Sequence, residues 1–127
     1  MRGVGRILAV RRADNGAWEP PGGVLELEEE PQTGVAREVF EETGIRVTVG
    51  QLTGVYKNMK LGVVALVFRC EPSAGTERTY SESTAVAWLT PEEVQERMSE
   101  VFAMRVSDDG NGPQVRSRDG IRLISAG

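Results

Sequence analysis

Apolar residues fall in a few short runs along the 127-residue chain, and the spacing within each run predicts an element. Arg6-Ile7-Leu8-Ala9-Val10-Arg11-Arg12 reads as a strand whose apolar centre is flanked by arginines. Asp14-Asn15-Gly16 predicts a turn, and Pro20-Pro21-Gly22-Gly23 a rigid bend that becomes a flexible one. Pro31 suits a first helical turn. Beyond it Val35, Ala36, Val39 and Phe40 share an arc that faces a core, and Gly44 ends the helix, free to take positive φ. Val47 to Tyr56 predicts a strand region broken at Gly50 and Gly54. Leu61 to Cys70 is the strongest strand signal, valine-rich and expected to be buried on both faces. A loop over 71–79 leads to a short strand, Ala85 to Leu89. Thr90-Pro91-Glu92-Glu93 is a capping box that opens a helix to about Met98, continued or restarted over Val101 to Val106. Residues 108–127 predict a loop, then either a weak hairpin around Asp119-Gly120 or a loose tail. The order gives one domain over 1–127, of α/β class, with a mixed sheet and helices on both faces.

The helix after Pro31 carries its chemistry away from the apolar arc. Glu38, Glu41 and Glu42 fall within roughly 100° of one another at about 100° per residue. Like charges at that spacing repel. Such a cluster is either spread into solvent, the ordinary state of an acidic helix face, or neutralised by a hard divalent cation. Arg37 flanks it and can fork to one of the carboxylates.

Composition narrows the chemistry. A net charge of −4 argues against a surface that coats nucleic acid. The longest apolar run, Val63 to Phe68, is strand-sized, so no membrane span is expected, and no signal peptide precedes the first strand. The single cysteine, Cys70, excludes an intramolecular disulfide, fits a reducing cytoplasm and reads as a buried structural thiol. The chain has no histidine, which removes Ser–His and Cys–His pairs and the usual mixed zinc sites. Acid–base work falls to carboxylates, lysine, tyrosine or metal-bound water.

The whole pattern is more specific than its parts. Gly23, five residues, Glu29, seven residues, then Arg37-Glu38-Val39-x-Glu41-Glu42-x-Gly44-Ile45 resembles the Nudix box, the signature of Nudix hydrolases. The approach Trp18-Glu19-Pro20-Pro21-Gly22-Gly23 is similar to the family's usual lead into the box. The resemblance spans about residues 5 to 105. It implies an α/β/α sandwich with a mixed β-sheet, a Mg²⁺ or Mn²⁺ cofactor, and attack of water on a nucleoside diphosphate linked to another group. It also implies roles. Glu41 and Glu42 are metal ligands, Glu38 is a ligand or the general base, and the Gly23 carbonyl reaches the metal. Arg37 orients a box glutamate. Glu29 contributes to the metal or braces the loop against Arg37. Glu82 stands where many members carry an acid near the metal, or is a surface glutamate. Trp18, Tyr56 and Phe68 are candidates to stack on a base, with core packing the alternative for each. Members usually have one more strand before the first one here. Its lack would leave an open sheet edge, and a homodimer is among the expected assemblies.

Leu61-Gly62-Val63 stand where ADP-ribose hydrolases often carry a proline and dinucleoside polyphosphate hydrolases a tyrosine. MutT-like action on a small-molecule nucleotide, a nucleoside triphosphate or an oxidised one, is therefore the expectation by elimination. An ADP-ribose or nucleotide-sugar pyrophosphatase is the alternative; a non-catalytic nucleotide sensor and an acidic interaction protein stand behind it.

Overall fold

Strand β1 (Ile7–Arg12) lies between β2 (Trp18–Glu19) and β5 (Ser83–Leu89), antiparallel to both. The computed structural model describes residues 5–110, 112–119 and 123–126, the last four by their backbone alone. A second sheet has the order β4-β3-β6-β7, built from β3 (Ile45–Asn58), β4 (Val63–Gly75), β6 (Gln114–Arg118) and β7 (Leu123–Ala126). β3 runs antiparallel to β4 and parallel to β6, so this sheet is mixed. β6 and β7 pair antiparallel. Three helices complete the described α/β fold: α1 (Pro31–Thr43), α2 (Pro91–Arg97) and α3 (Glu100–Ser107). None is long and apolar enough to cross a membrane.

The ends of α1 follow from their residues. Pro31 opens it, and Gly44 closes it at φ 78°, donating its N–H to the Phe40 carbonyl at 2.9 Å. A side chain at Gly44 would also run into the Thr76 carbonyl, so glycine is required there twice over. Thr90 caps α2 in a reciprocal capping box with Glu93. Met98 leaves helical geometry, and the second helix restarts as α3. The core gathers Ala9, Leu89, Val94, Met98 and Ala103, with Ile7, Trp18 and Phe102 packed against it.

Two expectations are corrected. Gly50 and Gly54 do not break β3; the strand passes through both, with register shifts between Val49 and Leu52 and between Leu52 and Gly54. Gly54 is a packing requirement, because an added Cβ would meet the Tyr56 ring. β4 is longer than expected and is not buried on both faces: Val63, Val64 and Leu66 are exposed. The physical reason is that, among the described residues, little covers its faces: β3 pairs along one side and α1 only brushes it.

Candidate active site

The loop before α1 folds back on the helix, and Arg37 holds it there. The guanidinium forks to Glu29, Nε to Oε2 at 2.6 Å and Nη2 to Oε1 at 2.8 Å. It also pairs with Glu41 at 2.9 Å, Glu38 at 3.0 Å and Glu26 at 3.2 Å. One arginine thus gathers four carboxylates, two from the loop and two from the helix. Its hydrogen bond, offset in part by burial, holds Glu29 below the usual carboxylate range.

Glu42 lies deeper, at 6% exposure. It accepts the Gly22 N–H at 3.4 Å and lies beside Glu38. Burial first, and Glu38 next, push the Glu42 carboxyl up to about 8. Gly23 packs against the same pair: any side chain there would overlap the Glu38 carboxylate. Gly23 is therefore a close-approach glycine.

Glu41 is placed differently. Its side chain is half-exposed and engaged by Arg37, apart from the Glu38–Glu42 contact. Among the described residues no group of three acidic, histidine or cysteine side chains is already gathered as a metal cage. Glu82 lies in the turn before β5, exposed, and its backbone carbonyl accepts from Ala13 at 2.9 Å. Tyr80 in the same turn has its phenol raised by burial, then by the charges of Glu42 and Glu82.

The aromatic candidates divide. Trp18 packs on the core. Tyr56 is buried at 2% exposure and donates its hydroxyl to Asp108 at 2.5 Å, so it offers no free face and is not carried forward as a base-stacking residue. Phe68 lines a cleft of about 670 Å³ whose walls come from β1, α1, β4 and α3. Gly22, Gly23 and Glu38 open onto this cleft, which is otherwise lined mainly by apolar side chains. Cys70 is half-buried, and burial first, then Glu71, pushes its thiol up to about 11, which leaves it a poor nucleophile.

Sequence reasoning missed Glu19 and Arg105. Glu19 ends β2, accepts from Arg12 at 3.3 Å, lines the cleft, and its charge reaches Glu42. Arg105 enters the same cleft from α3. Neither has a spacing signal: each is brought in by the packing of elements distant in sequence.

A NUDIX domain model matches residues 1–108. A MutT-like protein of Streptomyces ambofaciens is 70% identical over 129 residues, covering 100% of this chain and 84% of that protein. A Bacillus subtilis (strain 168) protein, provisionally named an 8-oxo-dGTP diphosphatase, is 28% identical over 110 residues, 86% of this chain and 74% of its own length. The crystal structure of a MutT protein from Methanosarcina mazei Go1 superposes with a TM-score of 0.73 at 28% identity, over 84% of this chain and 83% of that one. The chain belongs to the NUDIX domain family, and is a Nudix pyrophosphohydrolase.

Proposed function

We propose that this Nudix pyrophosphohydrolase cleaves the pyrophosphate linkage of a nucleoside triphosphate or an oxidised nucleotide, with Mg²⁺ or Mn²⁺ as cofactor. One observation carries the reading: Glu42 is buried beside Glu38 and accepts the Gly22 N–H, and Glu38 is pressed against Gly23 at the mouth of an apolar cleft. The donor set fits a hard divalent cation, since it is all oxygen and its two nearest carboxylates already converge. Glu38 and Glu42 would hold the ion, completed by Glu41 and the Gly23 carbonyl. When bound, such an ion neutralises a diphosphate and lowers the pKa of a coordinated water.

The chain's own residues do the rest. Arg37 is a positioning residue, fixing the loop through Glu29 and the helix through Glu38 and Glu41. With no histidine in the chain, the proton of the attacking water goes to a carboxylate. Glu38, if it serves as base in place of ligand, is the first candidate, and Glu82 the second. The apolar cleft excludes water from the base of the nucleotide and holds it by contact. The name of the Bacillus subtilis relative supports a nucleotide substrate.

The test is a panel of dNTPs, 8-oxo-dGTP, ADP-ribose and a diadenosine polyphosphate with Mg²⁺ or Mn²⁺, read as released phosphate and pyrophosphate. Turnover of the triphosphates or of 8-oxo-dGTP is the expected result. Turnover confined to ADP-ribose would overturn the substrate assignment.

A further inference from the structure

Arg105 stands in the last turn of α3 with no carboxylate partner among the described residues. Its Nε–H is buried and meets no acceptor. By contrast Arg116 is taken by Asp108 at 2.8 Å and 2.9 Å. The Arg105 guanidinium lies over the Phe102 ring at 4.9 Å and the Tyr56 ring at 5.2 Å. Burial first, and then Arg118, lower its pKa, against smaller opposing contributions from Tyr56 and Glu19. Rings attract the faces of a guanidinium but leave its edge donors unfilled. The helix C-terminus favours a cation there but gives Nε no acceptor. A part-buried cation with a buried, unfilled donor is costly unless something supplies the missing acceptor.

The cleft shows where that partner enters, because Arg105 and Phe102 line it from α3 while Glu38 and Gly23 line it from the α1 side. With phosphates at the Glu38–Glu42 pair, the part of a nucleotide that reaches α3 is the base. The cleft walls near Arg105 are apolar and aromatic, which suits a planar ring. A guanidinium fork asks for two adjacent acceptors. A purine with a keto oxygen at position 6 and no oxygen at C8 presents O6 and N7 as two adjacent acceptors; adenine sets an amino donor in place of O6.

Resting on the nucleotide reading above, we propose that Arg105 is a specificity-determining residue that reads a 6-keto purine base, donating from its guanidinium to O6 and N7.

The experiment compares wild type, Arg105→Met and Arg105→Lys in hydrolysis of dGTP and dATP with Mg²⁺, and in calorimetric binding of GMP and AMP. Wild type is expected to favour dGTP. Arg105→Met should raise KM for dGTP by roughly five- to a hundredfold, with kcat and the dATP values little changed. Arg105→Lys keeps the charge but not the fork and should recover little of the preference. The melting temperature of Arg105→Met should hold or rise, since a part-buried cation with an unfilled donor is gone. Equal losses on both nucleotides with a lowered melting temperature would show a structural role and overturn the proposal; so would an unchanged preference. If wild type hydrolyses neither nucleotide, the substrate reading rests on 8-oxo-dGTP alone and fails on its own if that too is left intact. In that case tighter binding of GMP than AMP, lost in Arg105→Met, would still support the base-reading role, and equal binding of the two would overturn it.

Discussion

Glu42 meets two opposed demands, burial and charge. Burial and the adjacent Glu38 raise its carboxyl from 4.5 to about 8, so the folded protein keeps a proton that the unfolded chain releases. The sign follows: in the metal-free protein the Glu42 contribution is fullest below about pH 4.5 and is lost as pH rises towards 8. Thermal melts of metal-free protein should fall in midpoint from pH 5 to pH 8, and Glu42→Gln, which cannot ionise, should flatten that slope. Equal slopes in the two proteins would locate the titration elsewhere. At this scale the sequence spacing was enough to nominate Glu38, Glu42, Gly23 and Arg37. It could not separate Glu41 from its neighbours, because an arc of about 100° says which side of a helix a residue occupies, whereas Arg37 decides which glutamate it draws outward.

Elements bring these residues together, and the loop before α1 does so with little tolerance. Gly23 lies so close to Glu38 that a methyl group would displace the carboxylate. The atoms in the way are the end of a flexible side chain, so Gly23→Ala should fold normally while Glu38 swings out of position. Turnover is then expected to drop by about a hundredfold, the scale of a misplaced catalytic group, with the melting temperature nearly unchanged. A fully active Gly23→Ala protein would show that the approach has no catalytic consequence. Helix α1, strand β1 and the capping box of α2 were legible because each is governed by local rules: Pro at the start, Gly at the end, Thr-x-x-Glu at the cap. β3 and β4 were less so. Whether a glycine breaks a strand or admits a neighbour depends on what crosses it, here the Tyr56 ring over Gly54. Likewise, a valine-rich run reads the same whether or not other elements cover its faces, and among the described residues little covers those of β4.

Across the molecule, one buried cluster ties three distant segments. Tyr56 of β3 and Arg116 of β6 both bond to Asp108, which follows α3 and is 3% exposed. Arg116 first, and Tyr56 as a further donor, hold the Asp108 carboxyl below its usual 3.8 despite burial. This contribution is present above the unfolded value and is lost as pH falls through the lower folded one. Asp108→Asn should cost about 1–3 kcal/mol near neutrality by taking the charged acceptor from part-buried Arg116 and buried Tyr56, and the gap to wild type should narrow as pH falls below about 4. Denaturant unfolding across that range measures it; a constant gap would mean that the charge on Asp108 is not what holds these segments together. The cluster was invisible in the sequence, where residues 56, 108 and 116 share no spacing rule.

The central claim is that the Glu38–Glu42 pair is where the metal is held. Calorimetric titration of Mn²⁺ into wild type near pH 7, in two buffers of different ionisation enthalpy, tests it most directly. Metal needs Glu42 ionised, and burial raises that carboxyl to about 8 in the metal-free protein, so close to one proton should be released per ion bound. In Glu42→Gln that release should vanish and binding should weaken. Binding by wild type without proton release, or equal binding by Glu42→Gln, would contradict the assignment.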